Sequence, residues 1–153
     1  MNSKKSILLG LLIMVVVIIA TGCVFYNALD PEDFKKHLGA LGYTINTELE
    51  PKYESKTYLV AEKTDVPYKV EYYSFDDDIN AKKVYTKYKD SIGDYITTDS
   101  KNNESSNNVF SRTIAVSDNE YIVISRVRNT VIFISGTNDY AEEIDKLIED
   151  IKY

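Results

Sequence analysis

The pattern of apolar and polar positions separates an apolar N-terminal segment from a body that alternates between helical and extended periods. In the body, apolar residues recur at intervals of three and four in three places. The three stripes are Phe34, Leu38 and Leu41; Ala81, Val84, Tyr85, Tyr88 and Ile92; and Tyr140, Ile144, Leu147, Ile148 and Ile151. Because each stripe occupies one side of a helix, the pattern predicts three helices that each bury one face.

The predicted helix ends carry residue types that commonly cap helices. Asp30 precedes a proline and two acidic residues, which is typical of a helix start, and Gly42 is placed to end that helix. The Asp76-Asp77-Asp78 run predicts the start of the second helix, where carboxylates interact favourably with the helix dipole. Asp139 and Glu142 have the spacing of a capping box, which predicts the start of the third.

Six segments rich in Tyr, Val, Ile and Thr predict β-strands. They lie at 43–49, 56–62, 68–75, 109–116, 121–127 and 130–135. Short turns join the last three segments, which indicates an antiparallel meander. The polar stretch 99–108 contains no apolar residue and predicts a loop. The order helix, three strands, helix, three strands, helix indicates an α+β domain, with a mostly antiparallel sheet of about six strands and three helices packed on it.

Residues 1–26 predict attachment to a membrane. Lys4 and Lys5 precede an uncharged apolar run over 7–20, and the only cysteine, Cys23, follows shortly afterwards. Basic residues before an apolar run are typical of a secretory signal peptide. The stretch Ile19-Ala20-Thr21-Gly22-Cys23 resembles a bacterial lipobox, and that resemblance implies a lipid on the Cys23 thiol and cleavage just before it.

An uncleaved transmembrane helix is the alternative interpretation of the same segment. The twenty residues over 6–25 carry no charge, about the length needed to cross a hydrocarbon core of roughly 30 Å. Tyr26 would then lie at the interface. Either interpretation places the basic N-terminus in the cytoplasm and the body, residues 27–153, on the outer face of the membrane. The sequence leaves both forms of attachment open.

The charge of the body limits the kinds of partner it can bind. The whole chain has a net charge of −6, and all 24 acidic residues follow Cys23. Nucleic-acid binding requires basic patches, so this balance argues against a nucleic-acid partner. By its length, the segment 27–153 is expected to form one extracytoplasmic domain with its own core.

The sequence predicts no catalytic residue, no metal site and no cofactor. His37 is the only histidine, so common His and Cys ligand sets cannot be assembled in the body. No nucleophile elbow surrounds a serine. The Asp76-Asp77-Asp78 run lacks the alternating ligands and glycine turn of a calcium loop. We therefore interpret that run as a helix start, and His37 as a surface helix residue.

Tyrosine is the unusual component of the body. The chain contains 13 tyrosines and no tryptophan. Tyrosine suits a half-buried sheet face, and it also suits recognition surfaces. Tyr72 and Tyr73 point to opposite faces of a predicted strand, so we expect at least one of them to be exposed as part of a binding face. The leading hypothesis is a non-enzymatic protein-interaction module at the cell envelope; the alternative is a small-molecule or substrate-binding lipoprotein.

Three stretches of the body resemble small uncharacterised bacterial proteins of low-GC Gram-positive species that are lipoproteins or single-pass membrane-anchored proteins. They are DPEDFKKHLGALGYTI, VEYYSFDDDINAKKVYTKY and YIVISRVRNTVIFISG. The resemblance spans most of residues 30–153 and consists of fold patterns. It implies a membrane-anchored extracytoplasmic domain, and it transfers no site residues.

Overall fold

The computed structural model describes residues 28–93, 101–107, 109–117 and 119–153, so the predicted anchor segment with Cys23 lies outside the described residues. Three α-helices are α1 (Pro31–Ala40), α2 (Asp78–Gly93) and α3 (Ala141–Asp150), and a 3₁₀ turn (Asn138–Tyr140) precedes α3. The strands are β1 (Thr44–Asn46), β2 (Thr57–Glu62), β3 (Lys69–Ser74), β4 (Lys101–Ser106), β5 (Phe110–Val116), β6 (Tyr121–Val127) and β7 (Thr130–Gly136).

These strands form one antiparallel sheet in the order β1-β2-β3-β7-β6-β5-β4. The two outer meanders meet where β3 pairs with β7, with Tyr72 opposite Ile132 and Tyr73 opposite Val131. Helix α2 lies along the chain between β3 and β4. The predicted α+β class, with an antiparallel sheet and three helices, is confirmed, and each of the six predicted strands is present.

Helices cover both faces of the sheet. On one face, called the α1/α3 face, Phe34 and Leu38 of α1 and Ile144 of α3 belong to one buried cluster. On the other, called the α2 face, Val84 and Tyr85 of α2 belong to a second cluster. The sheet is therefore the middle layer of three, which explains why every residue of β6 is buried.

The two ends of α1 have the predicted caps. The Asp30 carboxylate accepts a hydrogen bond from the Asp33 amide at 2.8 Å, which satisfies one of the free donors at a helix start. At the other end, Gly42 has φ of +85°, and the Tyr43 amide donates to the Leu38 carbonyl at 3.0 Å. A left-handed residue at this position favours glycine, so the chain leaves the helix here.

Two local predictions are wrong. The polar stretch predicted as a loop contains strand β4, which pairs along β5 from Lys101 opposite Val116 to Ser106 opposite Ser111. The predicted capping box is absent: α3 begins at Ala141, and its cap residue Tyr140 makes no side-chain capping bond. The 3₁₀ turn occupies the place of the box, closed by the Tyr140 amide donating to the Thr137 carbonyl at 3.0 Å.

The α2 face is covered by two different structures. Helix α2 packs on β6 and β7, whereas the segment between β1 and β2, called the 47–56 loop, contributes Leu49 to the cluster on this face. Tyr53 and Glu54 in this loop both have left-handed backbone angles, with φ of 56° and 61°. Non-glycine residues in this region are uncommon and require support from their surroundings. The rings beneath the loop provide that support.

Candidate functional site

The two tyrosines predicted to form a binding face are both fully buried. Tyr72 lies on the α1/α3 face, where its ring stacks on Phe34 with centroids 4.6 Å apart and its hydroxyl donates to the Leu29 carbonyl at 2.6 Å. Tyr73 lies on the α2 face, stacked on Tyr58 at 4.8 Å. Both have 0% exposure, so the expectation that at least one is exposed is wrong. Helices and loop on both sheet faces are the physical reason.

The other sequence candidates lie where the sequence placed them. His37 is exposed on α1, with its Nδ1 atom 2.8 Å from the Asp33 carbonyl oxygen. The Asp76-Asp77-Asp78 run is exposed at the start of α2, where the Asp77 carboxylate accepts from the Asn80 amide at 2.8 Å. This is a capping geometry. In the described part of the chain, no group of three or more His, Cys, Asp or Glu residues is placed to hold a metal ion.

A hydrogen-bonded cluster on the α2 face centres on Glu71, and we call it the Glu71 cluster (Tyr58, Glu71, Tyr73 and Tyr88). One carboxylate oxygen of Glu71 accepts from the Tyr58 hydroxyl at 2.9 Å and from the Tyr73 hydroxyl at 2.5 Å. The Tyr73 and Tyr88 oxygens are 2.7 Å apart. Because the Tyr73 proton is directed to Glu71, Tyr88 donates in this last bond. The arrangement fixes a half-buried carboxylate among aromatic rings.

The 47–56 loop lies over this cluster. The Tyr53 ring contacts the rings of Tyr73 and Tyr88, with centroids 5.9 and 5.8 Å away. The Lys52 ammonium donates to the Tyr58 hydroxyl at 2.8 Å and lies 4.4 Å from the centre of its ring. From α2, the Lys87 ammonium lies 4.3 Å from the centre of the Tyr53 ring. Each lysine therefore places a cation against a tyrosine, an attractive geometry.

The environment sets the charge state of the cluster. Burial raises the pKa of Tyr58, although the hydrogen bond from Lys52 opposes that rise. Burial, followed by the hydrogen bond to Glu71, raises the pKa of Tyr73. The hydrogen bond to Tyr58 raises the pKa of Lys52. At neutral pH Tyr58 and Tyr73 are therefore neutral hydrogen-bond donors, and Lys52 is a cation.

A cavity of about 550 Å³ opens between the 47–56 loop and the outer part of β1, β2 and β3. Carboxylates of Glu50, Glu62 and Glu71 line it, together with the ammonium groups of Lys52 and Lys69. Lys69 forms an ion pair with Glu62, while Lys52 is hydrogen-bonded to a tyrosine. The lining therefore carries three carboxylates against two ammonium groups, a small excess of negative charge.

Sequence reasoning did not identify Glu71 or the cavity. Alternation along β3 places Glu71 on the same face as Lys69 and Tyr73, which was a usable signal for a charged position within an otherwise buried strand. The sequence could not show which residues surround Glu71. Tyr58 of β2 lies opposite Tyr73 of β3, and that register depends on the turn between the two strands. Lys52 reaches the site only because the loop folds back over the sheet.

A smaller tyrosine site lies on the α1/α3 face. The Tyr43 and Tyr68 hydroxyl oxygens are 2.8 Å apart, and Tyr68 donates to the Glu143 carboxylate at 3.0 Å. The adjoining cavity measures about 190 Å³. Its size and its paired hydroxyls suit a structural link between α3 and the sheet. The cavity of about 550 Å³ beside Glu71, which we call the Glu71 cavity, is the stronger candidate for binding.

Comparisons with known proteins do not assign a family. No protein-family model matches the chain, and no curated protein matches it significantly. One solved structure with a similar arrangement is a protein from Thermotoga maritima described as a GTP-binding regulator. It is 14% identical, with a TM-score of 0.48 over 80% of this chain and 84% of that chain.

None of the helices in the described ranges combines the length and apolar character needed to cross a membrane.

Proposed function

We propose that residues 27–153 are a non-enzymatic binding module, held at the outer face of a cell membrane by residues 1–26, that binds a protein partner of the envelope. The observation that most directly supports this proposal is the charged cavity beside Glu71. Tyr53, 39% exposed, directly follows Lys52, which lines the cavity. Exposed aromatic residues beside a polar opening are typical of protein-recognition surfaces. The apolar segment at 1–26 supports the proposed location.

The open shape of the cavity favours a protein partner over a small molecule. Pockets for small molecules bury most of the surface of their ligand. Here the carboxylates of Glu50, Glu62 and Glu71 face an open cavity, so charged groups of a ligand would remain partly in water. A small-molecule or substrate-binding lipoprotein is the second candidate, because the volume of about 550 Å³ lies within the roughly 300–1,000 Å³ of such pockets.

A photo-crosslinking residue at Tyr53 is expected to capture the partner in membranes of the bacterium that makes the protein. The control carries the same residue at Ile79, which is 67% exposed at the start of α2 and is not part of the Glu71 cavity. We expect a discrete cross-linked protein from position 53 and none from position 79, by mass spectrometry of the purified adducts. Equal adducts at both positions, or none at either, would contradict the proposal.

The proposed anchor predicts a covalent change at Cys23. We expect Cys23→Ala to abolish lipid attachment and to leave the unprocessed precursor, because the thiol is the only cysteine available for acylation. Intact mass of the membrane fraction measures both effects at once. A mass that differs from that of the wild-type protein only by the substitution itself would instead identify an uncleaved transmembrane helix. Membrane association alone is uninformative, since the apolar segment holds the precursor in the bilayer in either case.

A further inference from the structure

We propose that the Glu71 cavity receives a lysine or arginine side chain of the protein partner, and that Lys52 occupies this place in the unbound protein. This inference rests on the proposed function and names the chemistry recognised at its site. Three features of the structure support it: two carboxylates without an ion pair among the described residues, the position of Lys52, and the apolar walls beside them.

The acidic lining is only partly neutralised within the chain. Of the cavity's carboxylates, Glu62 is paired with Lys69. Glu50 and Glu71 form no ion pair among the described residues, and Glu71 is half-buried. The two hydroxyl donors to Glu71 share a single carboxylate oxygen. A half-buried carboxylate of this kind favours a cationic partner, because opposite charges attract more strongly where water is partly excluded.

Lys52 shows that an ammonium group fits this place. Its Nζ atom donates to the Tyr58 hydroxyl at 2.8 Å, and that hydroxyl donates in turn to Glu71 at 2.9 Å. The lysine also lies over the Tyr58 ring. Hydroxyl, ring face and carboxylate are the groups that hold a basic side chain in protein complexes. The chain thus supplies its own cation to a site that a partner's cation would fill.

The position of Lys52 in the chain makes displacement feasible. Lys52 is exposed and immediately precedes Tyr53 and Glu54, the two residues with left-handed backbone angles. Its side chain can leave Tyr58 without moving a strand. The rest of the loop is held by the Tyr53 ring, which contacts the rings of Tyr73 and Tyr88. Release of one lysine is therefore separable from opening of the fold.

The cavity walls suit a side chain with an aliphatic stem. Leu49, Pro51 and Val60 line the cavity beside the carboxylates. Lysine and arginine bury their methylene groups along apolar surface while the charged head reaches polar groups. The acidic balance of the chain, −6 overall, also attracts a basic partner during encounter. A compact inorganic cation would use the carboxylates and leave these walls uncovered.

The test compares two lysine variants that remove the same charge from the same face. The full chain, in detergent micelles, is titrated with a dye-labelled Gly-Gly-Arg-Gly-Gly peptide and with its citrulline counterpart, and binding is followed by fluorescence anisotropy. We expect Lys52→Met to raise affinity for the arginine peptide about fivefold, because the competing occupant is removed. Lys87→Met is the matched control, since it also removes a cation over a tyrosine, and we expect it to leave affinity within about twofold.

Two acidic variants complete the test. We expect Glu71→Gln, which keeps a hydrogen-bond acceptor for Tyr58 and Tyr73, to weaken binding about tenfold, as loss of a charged hydrogen-bond partner does. Glu50→Gln, at an exposed position, is expected to act in the same direction without risk to folding. Equal effects of the two lysine variants, or citrulline binding as well as arginine, would overturn the inference.

The outcome for this inference is separable from that for the proposed function. The cross-link at Tyr53 reports a partner whatever its chemistry, so a cross-link unaffected by both Lys52→Met and Glu71→Gln would overturn the basic-side-chain inference and leave the binding module standing. Loss of the cross-link in Glu71→Gln, with retention in Lys87→Met, would support both. No cross-link and no peptide binding would overturn both.

Discussion

Raising the pH above 10 is expected to unfold the domain in one steep transition. Tyr68, Tyr72, Tyr73 and Tyr153 are almost completely buried, at 2%, 0%, 0% and 1% exposure. Burial raises the pKa of all four above the ordinary value of 10. A tyrosinate in an apolar interior loses its hydration, so the folded state requires these hydroxyls to be neutral.

The direction of the pH effect follows from linkage. In the unfolded chain a tyrosine ionises near pH 10, whereas in the folded domain these four retain their protons, so stability is fully present below pH 10 and falls above it. Each such group removes about 1.4 kcal/mol per pH unit. Four together remove about 5–6 kcal/mol by roughly pH 11, comparable with the 5–15 kcal/mol of a typical domain.

Circular dichroism and tyrosinate absorbance, recorded in the same alkaline titration, check this expectation. We expect part of the tyrosinate absorbance to appear together with the loss of circular dichroism, because ionisation of the four buried hydroxyls waits for unfolding. Tyr72→Phe is the control, because it removes one ionisable hydroxyl. The free energy of unfolding of this variant should fall less steeply with pH, and the slope should correspond to the release of about one proton fewer on unfolding. Complete ionisation of all the tyrosines with unchanged circular dichroism would show that the buried hydroxyls titrate in the folded state, contrary to the prediction.

The same burial explains why the fold was more predictable than the site. Strand β6 has apolar residues on both of its alternating sides, and its seven residues are all buried. Such patterns are encoded locally by side-chain type. The helices and the six apolar strands were predicted for this reason, since each carries its own burial pattern.

Strand β4 was missed because its residues carry no such pattern. Its sequence, KNNESS, is entirely polar, and the strand lies at the edge of the sheet, paired on one side with β5. Backbone hydrogen bonding to a neighbour defines such a strand. Polar residues at an edge also discourage pairing with other chains. A short stretch of sequence shows neither which strand will pair with it nor whether it will lie at the edge of the sheet.

The candidate site was missed for a related reason. Tyr72 and Tyr73 were correctly placed on opposite faces, but their exposure depends on which elements cover each face. Glu71 acquires its character from Tyr58, 13 residues earlier, and from Tyr73. The position of Lys52 depends on how the 47–56 loop folds over the sheet. These relations join distant parts of the chain, and no local periodicity reports them.

Tyr153→Ala is expected to destabilise the domain strongly, although residues beyond a last helix are commonly frayed. After α3, Lys152 adopts φ of 55° and the Tyr153 amide donates to the Ile148 carbonyl at 3.1 Å. This turn directs the ring into the core of the α1/α3 face. Its hydroxyl donates to Thr130 at 2.6 Å, and Arg112 donates to its carbonyl oxygen.

Removing this ring leaves a cavity between α3 and β7, so we expect Tyr153→Ala to lower the free energy of unfolding by about 3–5 kcal/mol. Tyr153→Phe keeps the ring and loses one hydrogen bond, for which we expect about 1 kcal/mol. Ile79→Ala, at a side chain that is 67% exposed, should change stability by about 0.5 kcal/mol or less. Urea denaturation of the three variants measures these differences. A Tyr153→Ala effect as small as that of Ile79→Ala would mean that the ring is not part of the core in solution. The expected order would show that the segment after α3 closes the α1/α3 face.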